Sequence, residues 1–350
     1  MNTAKIIALM AILVAVAVGA HASETGHYSP GLPNIRDLVV PPPGFYGILY
    51  NYMYTSDRIN DGNGDEIRQI TIGIPPTVET PAVSATLDLD VDLDVYVVAP
   101  GIMWTSNWKI LGAKYAAYAL LPFANTSIGA SLTTATGTGR AIEESQFSLS
   151  DCFVQPIWLG WTIPHWDIAL GYGFYAPVGK YDTEKVPIQN PLTHEVLGSI
   201  TAEAADNIGL GFWTHQIQGA GTWYPWEDKR MAVVGAATWE IHGEKKDFDL
   251  TPGENLALNW GVSEYLPLKK DESLLLEFGP AGYNSWQITD DSGEAARNVS
   301  VHDEVHGVGA QVGAVYVPWM ATLNFRYIYE YAATDRFMGQ SFGLNFAIGF

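Results

Sequence analysis

The chain has 350 residues and a formal net charge of −20, with 38 acidic against 18 basic side chains. This acidic balance argues against nucleic acid as a partner, because proteins that bind nucleic acid carry basic patches. The single cysteine, Cys152, excludes an intrachain disulfide and any metal site built from several cysteines.

The first apolar run of the chain, residues 6–20, follows Lys5 and precedes Ala20-His21-Ala22. A basic start, a short apolar run and an Ala-x-Ala site predict a secretory signal peptide over residues 1–22. The run has about 15 residues, whereas a spanning helix needs roughly 20. No other stretch is long enough to span as a helix. A membrane protein with this sequence must therefore be a closed β-barrel, since lipid cannot satisfy an open sheet edge.

Residues 23–43 precede the first predicted strand and end in Pro41-Pro42-Pro43. Three consecutive prolines cannot join a sheet interior, so this segment is predicted to lie outside the wall of the barrel. The segment is predicted to be either a periplasmic tail or a plug that folds back into the lumen. Residues 44–350 are predicted to form the barrel.

The last ten residues, 341–350, alternate between large apolar and small or polar side chains. A period of two is typical of a half-buried strand. The strand ends on Phe350, with Phe346 and Ile348 on the same face. These three residues resemble the assembly signal of bacterial outer-membrane β-barrels.

Similar alternation predicts twelve strands, and an even number is typical of bacterial single-chain barrels. Long connections alternate with short turns, as expected when the long loops are extracellular and the short turns periplasmic. Tryptophans at the short turns fit an aromatic girdle. The fold class is therefore an all-β, transmembrane, antiparallel barrel in the bacterial outer membrane. The long connections are 55–85, 124–145, 179–205, 243–252 and 288–302, and the short turns are 104–107, 163–165, 225–229, 266–271 and 318–320.

Several stretches resemble one known family. They include Gly-His-Tyr-Ser-Pro-Gly (26–31), Val-Ala-Pro-Gly-Ile-Met-Trp (98–104), Gln-Pro-Ile-Trp-Leu-Gly-Trp (155–161) and Gly-Phe-Tyr-Ala-Pro-Val-Gly (173–179). The chain thereby resembles the outer-membrane family named for the MetA pathway of phenol degradation, which includes the SphA-like proteins. The resemblance covers nearly all of the chain after residue 22. It implies a transporter of hydrophobic or aromatic compounds and supplies no substrate-binding residues.

Charged residues that the alternation places on the inner face are the candidate lumen-lining residues. They set the selectivity of a channel, or they pair with one another and with residues 23–43 to hold the barrel shut. Arg326 with Glu240 or Glu330 is the expected pair. The full set is Asp88, Asp90, Asp92, Asp94, Lys114, Glu240, Arg326 and Glu330.

No motif places a nucleophile beside a base, so no catalytic residue, cofactor or metal site is predicted. The first functional hypothesis is a channel for passive uptake of small hydrophobic or aromatic compounds, with residues 23–43 as a hatch. The alternatives are a closed barrel with a structural or surface-binding role, and an outer-membrane hydrolase. The expected partners are outer-membrane lipid and lipopolysaccharide, the barrel assembly machinery and a small hydrophobic solute.

Overall fold

The computed structural model describes residues 25–74, 83–134, 137–189, 196–204, 206–296 and 299–350. The predicted signal peptide, residues 1–22, lies outside the described residues. Among the described residues, no helix is long and apolar enough to cross a membrane.

Strands make up nearly all of the regular structure in the described part of the chain, with a single 3-10 turn at Val317–Trp319. The strands are β1 (Gly44–Ser56), β2 (Gln69–Ile74), β3 (Val83–Ile110), β4 (Ala113–Leu120), β5 (Phe123–Thr134), β6 (Gly137–Glu144), β7 (Ser148–Leu149), β8 (Cys152–Ile163), β9 (Trp166–Ala176), β10 (Thr183–Gln189), β11 (Val196–Glu203), β12 (Thr214–Trp223), β13 (Met231–His242), β14 (Asn255–Pro267), β15 (Leu274–Gln287), β16 (Glu304–Tyr316), β17 (Ala321–Thr334) and β18 (Gln340–Gly349).

Twelve of these strands form one closed antiparallel barrel, in the order β1-β3-β4-β8-β9-β12-β13-β14-β15-β16-β17-β18. The barrel closes because β1 pairs with β18 on one side and with β3 on the other. Antiparallel neighbours joined by short turns need no crossover, so the chain order follows the wall. The predicted twelve-stranded antiparallel barrel is confirmed.

The two faces of the wall differ in polarity. Outward residues such as Leu170, Phe325 and Leu344 are large, apolar and about half exposed. Inward residues such as Gln216 and Asn345 are polar and buried. This reverses the pattern of a soluble domain and is the pattern that lipid requires of a barrel.

The first predicted turn, at 104–107, is wrong. Strand β3 continues to Ile110, and the chain reverses at Leu111 and Gly112, which have φ values of 50° and 80°. Left-handed φ at two successive residues is the conformation of a tight hairpin turn. Trp104 and Trp108 pack with each other at a ring distance of 6.0 Å near this end of the strand, so they mark the membrane interface rather than the turn itself.

The prediction of a loop at 124–145 is also wrong, because β5 and β6 form a hairpin there. Strand β4 ends before Pro122, and β5 then pairs with the first half of β3, from Asp88 to Val98. Residues 83–93, 123–134 and 137–144 therefore project beyond the barrel wall, and we call them the extension. The predicted long connections at 55–85 and 179–205 contain β2 and the β10–β11 hairpin.

Candidate functional site: the barrel lumen

The described part of the chain before β1 lies inside the barrel. Residues 25–43, which we call the lumen segment, contact the inner face of strands around most of the wall and join β1 at Gly44. Its polar partners lie on β1, β4, β12, β13, β14, β16, β17 and β18, and in the residue just before β8.

The N-terminal end of the lumen segment is held mainly by hydrogen bonds. His27 donates from Nε2 to Asp151 Oδ2 at 2.9 Å, and its Nδ1 is hydrogen-bonded to the Thr214 hydroxyl at 2.7 Å. The imidazole stacks on Tyr175 at a ring distance of 4.8 Å and meets the edge of Phe212 at 5.0 Å. Both ring nitrogens are thus satisfied in a buried position, as burial of a polar group requires.

Tyr28 continues these contacts on the neighbouring strands. Its backbone N–H donates to Glu240 Oε1 at 2.9 Å, and its hydroxyl accepts from Asn259 Nδ2 at 2.8 Å. Gly26 lies so close to Glu240 that a Cβ atom there would collide with the carboxyl group. The absence of a side chain at Gly26 therefore permits the approach of the backbone to this strand.

The middle of the lumen segment offers backbone carbonyls to the wall. Arg326 Nη1 donates to the carbonyl of Pro33 at 2.6 Å, and Asn345 Nδ2 donates to that of Leu32 at 3.2 Å. Gln311 Oε1 accepts the N–H of Ile35 at 2.9 Å. These inward side chains replace the hydrogen bonds that an isolated backbone would otherwise lack in a closed lumen.

The C-terminal end of the lumen segment is held mainly by apolar packing. Ile35, Leu38 and Val40 are buried against small and apolar inward residues of β4, β8, β9, β12 and β13. A Cβ atom at Gly160 would lie 2.6 Å from Val40 Cβ, and one at Gly261 would lie 2.9 Å from Ile35 Cγ1. The wall is therefore shaped to the segment. The wall residues of the same apolar cluster include Ala116, Trp158, Ala169, Ala220, Ala232, Val234 and Ala236.

Arg36 is the main charged anchor of this end. Its Nε donates to the Ser263 hydroxyl at 2.7 Å, and its Nη2 donates to the carbonyl of Arg230 at 2.6 Å. The guanidinium lies 3.7 Å from Glu277 Oε1 and 3.7 Å from the ring centroid of Tyr265. A planar fork with several donors suits such a site better than a point charge would.

A cavity of about 200 Å³ remains in the lumen, beside the N-terminal end of the lumen segment. Glu330, which lines it, accepts hydrogen bonds from the hydroxyls of Tyr283 at 2.6 Å and Tyr54 at 2.8 Å. Arg336, which also lines it, donates to Asp303 Oδ2 at 2.7 Å. Burial, opposed by the charge of Arg336, raises the pKa of Asp303 above its usual value.

Four of the predicted lumen-lining residues lie inside the barrel. Glu240, Arg326 and Glu330 are buried, and Lys114 donates to the carbonyl of Val40 at 3.3 Å. The predicted pair of Arg326 with a lumen carboxylate is wrong for the described residues, because Arg326 bonds a carbonyl of the lumen segment instead. Glu330 lies four residues further along the same strand, about 13 Å away, which is too far for an ion pair.

The prediction that Asp88, Asp90, Asp92 and Asp94 face the lumen is wrong. They share the outward face of β3 with Tyr96, and Asp88, Asp90 and Asp94 are exposed. The alternate residues Leu87, Leu89 and Val91 are buried against Ile59 and neighbouring apolar side chains. The outward face changes from apolar to acidic between Tyr96 and Asp94, as expected of a barrel strand that passes from lipid into water.

Sequence reasoning missed His27, Arg36, Asp151 and Thr214. Their contacts join residues between 124 and 227 positions apart in the sequence, and no local sequence pattern predicts such contacts. The signal that could have found the position of the lumen segment is the set of inward glycines and alanines on β9, β12 and β13. Small residues on the inner face leave the space that the segment fills.

Thr214, His27 and Asp151 have the hydrogen-bond order of a hydrolase triad. Thr214 is fully buried, however, and its oxygen is also hydrogen-bonded to His242 Nδ1 at 2.8 Å. This arrangement fastens the lumen segment and leaves the hydroxyl inaccessible to a substrate. Among the described residues, no three His, Cys, Asp or Glu side chains lie close enough together to hold a metal ion.

A closed antiparallel barrel with an apolar outside and a polar inside defines the class of the protein, an outer-membrane β-barrel. The fold is similar to that of the COG4313 outer membrane channel from Pseudomonas putida F1, with a TM-score of 0.62 and 13% identity over 91% of this chain and 100% of that chain. Weaker likenesses are to the translocator domain of the autotransporter NalP from Neisseria meningitidis (TM-score 0.44, 11% identity, 99% of this chain and 100% of that chain) and the beta domain of the Bordetella autotransporter BrkA (TM-score 0.42, 12% identity, 87% and 100%).

The sequence model of the family described as "Putative MetA-pathway of phenol degradation" matches residues 47–191 and 196–346. The chain belongs to this family, as its motifs predicted. No curated protein matches the sequence.

Proposed function

We propose that the protein is an outer-membrane channel for the passive uptake of small hydrophobic or aromatic compounds, and that the lumen segment is its movable closure. The proposal rests on one observation, which is that a segment of the same chain occupies the lumen. The lumen is occupied by the chain's own residues 25–43, whose backbone continues into the wall at Gly44 and whose other contacts with the wall are non-covalent. An occupant attached in this way can leave the lumen without breaking a single hydrogen bond between strands.

The wall behind the lumen segment supports a hydrophobic cargo. Ile35, Leu38 and Val40 share one buried apolar cluster with alanines and other apolar residues of the wall. When the segment moves, it uncovers a short apolar band across β9, β12 and β13, at Ala169, Ala220 and Val234, beside the polar inward residues of β12. Apolar solutes favour such a surface over water, whereas ions do not.

The location and partners of the channel follow from the same proposal. The signal peptide at 1–22 would direct the chain across the inner membrane, and the barrel assembly machinery would read Phe346, Ile348 and Phe350 at the end of β18. Lipid and lipopolysaccharide would then contact the apolar outer face. No catalytic residue is part of this proposal.

A disulfide lock tests whether the lumen segment must move. A Cβ atom at Gly31 would lie 3.2 Å from Ser341 Oγ, so cysteines at these two positions are within bonding reach. The test compares cells that carry Gly31→Cys/Ser341→Cys in a Cys152→Ala background with cells that carry each single cysteine. We expect naphthalene to accumulate faster in cells with the protein, more slowly in cells with the oxidised lock, and fast again after reduction. Equal rates in cells with and without the protein would contradict the proposal.

A closed barrel with a structural or surface-binding role is the second candidate. The filled lumen favours it, as does the exposed acidic face of the extension, where Asp88 and Asp90 point to solvent. In the same cells this role would leave naphthalene accumulation unchanged with or without the lock. It would instead appear as a loss of a surface property, such as cell adhesion, when the extension is removed.

A further inference from the structure

The two ends of the barrel differ in the connections that they carry. One end carries short turns between consecutive wall strands, and the other carries the long connections. In outer-membrane barrels the short turns are periplasmic and the longer loops extracellular, so the second end is assigned to the outside of the cell. The short turns are 111–112, 164–165, 224–230, 268–273 and 317–320, and the long connections are 57–82, 121–151, 177–213, 243–254 and 288–303.

The C-terminal end of the lumen segment lies at the periplasmic end of the barrel. Arg36 donates from Nη1 to the carbonyl of Lys229 at 3.1 Å and from Nη2 to that of Arg230 at 2.6 Å. Both carbonyls belong to the short turn that joins β12 to β13. Gly44, where the segment continues into β1, pairs with Thr105 near the turn that joins β3 to β4. The covalent tether of the segment is therefore periplasmic.

The N-terminal end of the lumen segment lies at the opposite end of the barrel. The Asp151 carboxylate that holds His27 also accepts two backbone N–H groups, at 2.9 and 2.8 Å. They are those of Gly179 and Leu210, which belong to the long connection between β9 and β12. Thr25, two residues before His27, is exposed to solvent. This end of the segment therefore opens on the extracellular side.

We infer that the lumen segment is threaded through the whole barrel, from a periplasmic tether at Gly44 to an N-terminal end at Thr25 that is presented outside the cell. The segment empties the lumen only by withdrawal into the periplasm. This inference deepens the proposed function. The withdrawal rests on that function, whereas the threading rests only on the contacts of His27 and Arg36 with opposite ends of the barrel.

The position of the tether decides the direction of withdrawal. A chain that starts at the periplasmic end and leaves by the extracellular end still runs through the lumen, whatever its length. Only movement into the periplasm removes it, and the N-terminal end then passes through the barrel from outside to inside. A group wider than the lumen, attached at Thr25 outside the cell, would therefore hold the segment in place and keep the barrel closed.

Streptavidin applied to intact cells tests the threading, because it does not cross the outer membrane and binds biotin only on the outer surface. Thr25→Cys in a Cys152→Ala background is biotinylated with a maleimide reagent. Two exposed positions serve as controls, Ser300→Cys in a long connection and Leu111→Cys in a short turn. We expect the Thr25→Cys protein to bind streptavidin as the Ser300→Cys protein does. The Leu111→Cys protein should bind it only after the outer membrane is permeabilised.

The same complex tests the direction of withdrawal. Streptavidin is wider than the lumen of a twelve-stranded barrel, and it binds biotin too tightly to dissociate during an uptake assay. With streptavidin bound to the Thr25→Cys protein, we expect naphthalene accumulation to fall to the rate of cells without the protein. Streptavidin on the Ser300→Cys protein should leave the rate unchanged, which controls for a bulky group beside the mouth. The faster migration of unheated protein in a denaturing gel verifies that each variant is folded.

The threading is overturned if the Thr25→Cys protein binds streptavidin only after permeabilisation, as the Leu111→Cys protein is expected to do. The inward withdrawal is overturned if streptavidin on the Thr25→Cys protein leaves naphthalene accumulation as fast as before. Failure of the proposed function gives a different result. Naphthalene accumulation is then equal in cells with and without the protein, while streptavidin still binds the Thr25→Cys protein on intact cells.

Discussion

The two ends of the lumen segment are held by different forces. The C-terminal end packs Ile35, Leu38 and Val40 against small wall residues and adds Arg36 as a charged anchor. The N-terminal end is held by hydrogen bonds of His27 and Tyr28, with the cavity beside it.

The difference indicates which end opens first. Burying an Ile, Leu or Val side chain stabilises by about 1.5–3 kcal/mol, whereas a hydrogen bond exchanged with water contributes only about 0.5–1.5 kcal/mol. The C-terminal end is also attached to the wall at Gly44. We therefore expect the segment to detach from its N-terminal end, which is the end beside the lumen cavity.

The largest effect is expected at the charged anchor. Arg36→Ala should lower the free energy of unfolding by about 3–5 kcal/mol, because it leaves Glu277 buried without its cation. Urea unfolding of the refolded barrel measures this. The double variant Arg36→Met/Glu277→Met removes both charges and should recover most of the loss. A loss below about 1 kcal/mol in the single variant would contradict the role of Arg36 as an anchor.

Matched glycine substitutions compare the two ends directly. A Cβ atom at Gly160 meets the β-branched side chain of Val40, so Gly160→Ala should cost about 1–3 kcal/mol in the same unfolding experiment. At Gly26 the obstacle is the end of the Glu240 side chain, which can turn aside. Gly26→Ala should therefore cost less than Gly160→Ala and raise the open fraction in single-channel recordings. A larger loss of stability for Gly26→Ala than for Gly160→Ala would contradict the view that the C-terminal end of the segment is the more tightly packed.

A smaller effect is expected from His27. His27→Ala removes the hydrogen bonds to Asp151 and Thr214 and should destabilise the segment by about 1–3 kcal/mol. Because the barrel wall is not involved, the strands should keep their stability while the N-terminal end gains mobility. Hydrogen exchange of the amides of residues 25–31 measures this, with residues 35–40 as the internal reference. Equal acceleration at both ends would show that the segment moves as one unit.

The smallest effect is expected outside the lumen. Asp90 lies on the exposed face of the extension. Asp90→Asn should change the free energy of unfolding by less than about 0.5 kcal/mol and should leave the hydrogen exchange of both ends of the lumen segment unchanged. Urea unfolding and hydrogen exchange check both statements. A large loss would mean that the aspartates hold the barrel together after all.

Much of the wall could be predicted from the sequence, because lipid outside and water or polar groups inside impose a strict period of two on every strand. The predictions fail where the environment on one side of a strand changes along its length. On β3 the solvent outside changes from lipid to water between Tyr96 and Asp94, so polarity alone could not separate the outward aspartates from an inward row. The tryptophans at 104 and 108 mark the interface, and the turn lies beyond them at Leu111 and Gly112.

The contents of the lumen could be predicted only in part. Alternation along β13 and β17 placed Glu240, Arg326 and Glu330 on a face that the structure shows to be inward. Their partners could not be predicted, because the contacts of Arg326 with Pro33 and of Tyr28 with Glu240 join parts of the chain that are more than 200 residues apart. The irregular backbone of residues 25–43 carries no period that would fix its position.

Single-channel conductance in a planar bilayer tests whether the lumen segment closes the barrel. The refolded protein from residue 25 onward is compared with a variant that begins at Gly44. We expect silence or rare brief openings for the longer protein and steady conductance for the shorter one. Equal, steady conductance in both would contradict the claim that the lumen segment closes the barrel, and silence in both would mean that the lumen is closed by the wall itself.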